Sequence, residues 1–161
     1  MTLPGKGLSA KSFIISAVML GFLALAVFAA PGVASARVLV PPSYCLSGDA
    51  DPRDVVSSVS GPSFFSSVTL YCGDPTKGVL HIDAAHPISV DGSDDDNVVL
   101  CLNRIMYYGE EVPAAPGNRA WQIARSDRWS ATTVFDADTL EVISMFTSDS
   151  NNWAACAAFT G

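Results

Sequence analysis

His81 and His86 are the two histidines of the chain, five positions apart in Val79-Leu80-His81-Ile82-Asp83-Ala84-Ala85-His86-Pro87-Ile88. Imidazole gains or loses a proton near neutral pH, so a pair can serve as the base and the acid of one reaction. Arg125 closes an expected strand, and a guanidinium meets a phosphate through two parallel bonds. Each group also has a plainer reading. His81, between Leu80 and Ile82, fits a half-buried, hydrogen-bonded ring; His86, before Pro87, fits a loop; Arg125 fits a solvated strand end.

The N-terminus reads as a targeting segment. Lys6 and Lys11 precede an 18-residue apolar run from Phe13 to Ala30, Pro31-Gly32 breaks it, and Ala34-Ser35-Ala36 fits signal peptidase. Residues 1–36 are therefore expected to be a signal peptide, with a mature start at Arg37 and a single secreted domain over 37–161. An uncleaved anchor is the alternative, because the run is near the lower length for a membrane span. No cysteine lies at the cleavage site, which argues against a lipoprotein, and no second apolar run follows, so no membrane span is expected after cleavage. Lys6 and Lys11 leave with the leader, so nine Lys and Arg become seven against sixteen acids, a net of −9. Such a surface argues against broad, nonspecific adhesion to nucleic acid and permits a local basic site.

All four cysteines, Cys45, Cys72, Cys101 and Cys156, follow the leader, and an even number in an exported chain reads as two disulfides. Three connectivities are open. The pairing taken is Cys45–Cys72 with Cys101–Cys156, which ties the two halves of the domain separately. No C-x-x-C spacing supports zinc, and Asp94-Asp95-Asp96 has neither the central Gly nor the distal Glu of a calcium loop, so no metal or cofactor is expected.

The elements that would position the histidines can be read in order. Pro41-Pro42 excludes helix, and Asp49 to Ser60 starts a short helix capped by Asp51. Ser63 to Cys72 favours a strand, and Gly73 to Gly78 is a turn. Val79 to Ala85 fits a helix or a strand, and Pro87 ends any helix before His86. Ser93 caps the principal helix, Asp94 to Tyr108, whose Val98, Val99, Leu102, Ile105 and Met106 recur at helical spacing. Gly109 to Asn118 is a loop. Three strands follow, at 119–125, 129–136 and 140–147, joined by short turns as an antiparallel meander. The apolar tail from Trp153 to Phe159 tucks back through Cys156. The fold class is α+β: one main helix packed on a small antiparallel β-meander, disulfide-bonded, after the signal peptide.

The order His81-Ile82…His86, helix, Gly117-Asn118…Trp121, Thr132-Thr133-Val134-Phe135, and Val142-Ile143-Ser144…Phe146-Thr147 resembles the toxin nucleases grouped around barnase, EndoU and RelE. The resemblance covers about residues 79–150 and implies metal-independent RNA cleavage. In that reaction the 2′-hydroxyl attacks the adjacent phosphate, one group takes its proton, another protonates the leaving oxygen, and a cation steadies the charge on phosphorus. His81 and His86 would be the base and acid in either order. Arg125 would be the cation, with Arg104 and Arg119 as second choices. Thr147 or Ser144 would bond a phosphate oxygen, and Tyr107 or Trp121 would stack on a base. Serine-hydrolase, P-loop, zinc-protease and dinucleotide motifs are absent. The expected function is a secreted, toxin-like ribonuclease acting on RNA. The alternative is a non-catalytic secreted module that binds a protein or envelope partner in the manner of a small disulfide-bonded inhibitor.

Overall fold

The structure, a computed structural model, describes residues 39–60, 66–125, 128–149 and 151–161. They fall within one compact unit, Ala36–Gly161. The expected leader and the expected mature start at Arg37 lie outside the described residues. Among the described residues, four helices and six strands follow in the order α1 Pro42–Cys45, β1 Val55–Val59, β2 Val68–Tyr71, α2 Val79–Ala85, α3 Asp95–Tyr108, β3 Glu110–Val112, β4 Asn118–Ala124, β5 Ser130–Asp136, β6 Val142–Thr147 and α4 Trp153–Ala157.

The α3 helix forms as its spacing predicts. Val98, Cys101, Leu102, Ile105 and Met106 are all buried, while Asp95 and Asp96 place negative charge at the positive end of its dipole. That apolar face packs on a four-stranded antiparallel sheet ordered β3-β4-β5-β6. Trp121, Thr133 and Met145 lie in register across β4, β5 and β6 and face the core, where Ile123, Ala131 and Phe135 join them. Gln122, Thr132 and Phe146 form the matching row on the opposite face. A second sheet, the antiparallel pair β1–β2, leans on the start of β6, where the Thr69 N–H donates to the Leu140 carbonyl at 2.9 Å.

Four sequence readings are corrected. The stretch 49–60 is not a helix: Val55, Val56 and Val59 are buried in β1, because a β-branched run fits a pleated strand once β2 pairs with it. Asp51 instead holds a turn, its carboxylate accepting from the Arg53 N–H at 2.8 Å. The proline pair does not exclude helix. Pro42 opens α1 at the first helical position, where its missing N–H costs nothing. Asp94, not Ser93, stands at the α3 N-cap, and no side chain closes that cap. The Asp95 carboxylate instead accepts from the Ser43 N–H and hydroxyl, both at 2.7 Å, and so binds α1 to α3. The segment after α3 is not all loop: β3 pairs with β4, making the meander four strands instead of three. Glu-Glu-Val has no alternation to announce a strand, and its pairing partner supplies the order. The undecided stretch 79–85 is helix α2.

Gly109 makes the passage from α3 into β3 possible. A Cβ there would overlap the Ile105 carbonyl and lie 3.0 Å from the Gln122 carbonyl. Gly78, at φ +79, turns the chain into α2 against the Tyr71 carbonyl.

Both disulfides pair as expected, Cys45–Cys72 and Cys101–Cys156. The first joins α1 to the end of β2. The second joins α3 to α4 across 55 positions of chain. Replacing Cys101 and Cys156 together by Ser is expected to lower unfolding stability by about 2–5 kcal/mol. Urea denaturation of the variant and the unreduced protein checks this, and superimposable curves would reject it. At the sheet centre, the Thr133 hydroxyl is buried with no hydrogen-bond partner. Thr133→Val keeps the side chain's shape and removes the stranded group, so it should raise stability by about 1 kcal/mol. A fall in Tm for this variant would contradict that account.

Candidate functional site

The two histidines are set in different neighbourhoods. His81 is half-buried on α2, and its Nδ1 lies 2.9 Å from the Pro75 carbonyl of the preceding turn. A carbonyl only accepts, so Nδ1 carries a proton and Nε2 is the ring's basic position. His86 follows the end of α2. Its Nδ1 lies 2.9 Å from Oδ1 of Asn151, and its ring stacks on Phe146 with centroids 5.5 Å apart. Residue 151 is close to 86 in space because β6 returns alongside α2 and then leads into α4.

Arg125 lies just past β4. Its guanidinium rests over the Trp129 ring at 4.9 Å and the Phe159 ring at 5.8 Å, and Nη2 donates to the Ala155 carbonyl at 3.4 Å. Thr147 is buried, and its hydroxyl accepts from the Asn152 N–H at 3.0 Å, which fixes the start of α4. His86, Thr147 and Arg125 thus reach the same segment, 151–155, each through a different residue of it. His81 instead bonds to Pro75. Ser144 is on the sheet row opposite the core, paired with Val134, so it does not share a face with Thr147.

Arg119 and Trp121 are brought together, in an arrangement that leaves little to offer a substrate. Arg119 grips Glu111 through Nε and Nη2 at 2.8 and 3.1 Å and covers the Trp121 ring at 4.7 Å. Trp121 is only 4 % exposed, so its faces belong to the core. Arg104 donates to the Ala157 carbonyl at 3.2 Å and lies 5.9 Å over Tyr108. Tyr107 is exposed, edge-on to Tyr108.

Two hollows among the described residues bear on these side chains. The larger, about 470 Å³, lies where the 73–78 turn meets β6 and includes Arg53, Tyr71, Asp74, Lys77 and Glu141 in its wall. Lys77 and Glu141 form an ion pair across 64 positions of chain, and that bond raises the Lys77 pKa. The Thr76 hydroxyl and N–H bonds to Asp74 lower its pKa. Nothing local in the sequence couples Lys77 to Glu141. The smaller hollow, about 380 Å³, is lined by Arg125, Arg128, Trp129, Ser148, Asp149, Asn152 and Ala155. No histidine lines either hollow. Among the described residues no group of His, Cys, Asp or Glu is placed to hold a metal ion, and no helix is long and apolar enough to cross a membrane.

No family model matches the chain, and neither a curated protein nor a solved structure does.

Carboxylates set the acid limit of this fold. Hydrogen bonding to Arg119 lowers the Glu111 pKa, and the N–H groups of Thr139 and Asp138 lower that of Asp136. A carboxylate with a lowered folded value contributes stability above its unfolded value and loses it as pH falls through the folded one. Stability should therefore hold at neutral pH and decline below about pH 4. Denaturant midpoints from pH 7 to pH 2 check this, and a rise in stability over the acid range would contradict it.

Proposed function

We propose that this chain is an exported, disulfide-braced module that binds a partner and catalyses nothing, the partner being a protein or a component of the cell envelope. The leader-like N-terminus supports export, and two disulfides with no free cysteine among the described residues agree with an oxidising compartment.

One observation carries the non-catalytic part. Among the described residues, the wall of the hollow that contains Arg125 holds no proton-transfer pair. Its one carboxylate among the described residues, Asp149, accepts from Trp129 Nε1 at 2.7 Å and from Asn152 Nδ2 at 3.4 Å, and no histidine lines its wall. Metal-free phosphodiester cleavage needs a base and an acid on either side of the phosphorus. His81 and His86 instead bond to different partners, Pro75 and Asn151.

Purified protein incubated with total RNA and EDTA is expected to leave the RNA intact, and His81→Ala and His86→Ala should behave identically. Cleavage by the parent protein that either variant abolishes would replace this reading with the ribonuclease one.

A further inference from the structure

The hollow between the β4–β5 turn and α4 has the chemistry of an anion site in an otherwise acidic molecule. We propose that it binds the oxyanion of a small ligand, a phosphate, sulfate or carboxylate carried on a sugar-sized body. The inference deepens the binding reading: the anion is held and not transformed.

Three features support it. Arg125 and Arg128 both line the hollow, against Asp149 as the one carboxylate among the described residues of its wall. Asp149 is turned to Trp129 Nε1 and Asn152 Nδ2, and the ion pairs among the described residues are Lys77–Glu141 and Arg119–Glu111. Neither arginine of the hollow is therefore paired with Asp149, and among the described residues of the wall positive charge exceeds negative. Arg125 is also oriented before any ligand arrives, held by two ring faces and the Ala155 carbonyl. Ser148 adds a neutral donor. Its oxygen accepts from the Ser130 N–H at 2.9 Å, leaving its own O–H to give.

The backbone at Arg128 is the third feature. Its N–H donates to the Arg125 carbonyl at 3.3 Å, and φ is 74°. That left-handed position at the end of a short hairpin turn is one glycine takes freely and an L side chain does not. Backbone strain of this kind collects at functional sites, where the side chain is worth keeping in place. The strained residue here is one of the two cations of the hollow. The volume, about 380 Å³, exceeds what a bare ion fills and suits a small molecule.

The test is a titration of purified protein at low ionic strength, following the Trp129 indole N–H by NMR. The probes are inorganic phosphate, inorganic sulfate, glucose 6-phosphate and glucuronate, with glucose as the neutral control. Saturable shifts are expected with at least one oxyanion and none with glucose, and the best probe tells phosphate from sulfate and carboxylate. Arg128→Gly should weaken that binding by about tenfold or more. The same change should hold or raise Tm, because glycine relieves the turn. Arg125→Lys, which keeps the charge and loses the fork, should weaken binding less. Asp127, between the two arginines in sequence, lies outside the described residues; Asp127→Asn should bind as well or better. No saturable shift with any oxyanion, equal binding of glucose, or undiminished binding by Arg128→Gly would overturn the site. RNA cleavage would overturn the non-catalytic reading alone, because this titration is read without reference to turnover.

Discussion

The structure depends on the contact between the apolar face of α3 and the core face of the β3-β4-β5-β6 sheet. Val98, Leu102 and Ile105 meet Trp121, Phe135 and Met145 within one buried cluster. Burial at roughly 1.5–3 kcal/mol for each large side chain makes this the leading favourable contribution in a domain of this size. The other elements attach to that layer pair. Cys101–Cys156 holds α4 to α3, and Asp95 holds α1 through Ser43. A short chain with a modest core gains most from crosslinks that restrict its unfolded state, and these two close loops in separate halves.

Charge is distributed unevenly over this frame. Acidic side chains dominate the sequence, and many are spent locally on turns and helix starts. Asp51, Asp74, Asp91 and Asp136 accept backbone N–H bonds from residues just ahead of them, and Asp94 and Asp95 reach back to Ser89 and Ser43. Two cations are likewise committed, Lys77 to Glu141 and Arg119 to Glu111. Of the other described cations, Arg53 stands at the larger hollow, and three gather around α4, where Arg104 and Arg125 lie on aromatic rings and Arg128 shares the smaller hollow with Arg125. An acidic surface of this kind repels polyanions at long range, and a local cationic hollow is felt only within about a Debye length.

The histidines show how a sequence pattern and its geometry can part. Five positions apart on one short segment, they read as a pair. The last turn of α2 and the bend before Pro87 give them separate partners, one in the preceding turn and one in the segment that enters α4. Arg125 follows the same rule. Its strand-end position was legible, whereas its partners, Trp129, Phe159 and Ala155, come from a hairpin turn and the C-terminal tail.

By itself the sequence determined what depends on neighbours along the chain. The 3.6-residue recurrence of apolar side chains marks α3, the two-residue period marks β4, β5 and β6, and an even cysteine number marks disulfides. Tertiary structure decided whatever needed a distant partner. The run 55–59 became a strand because β2 lay beside it, and 110–112 became one because β4 did. The hollow lined by Arg125 and Arg128 exists because α4 is drawn against the β4–β5 turn. Local propensity is a difference of tenths of a kcal/mol per residue. A ladder of hydrogen bonds and a buried face outweigh it, and both are made with residues that no short window of sequence contains.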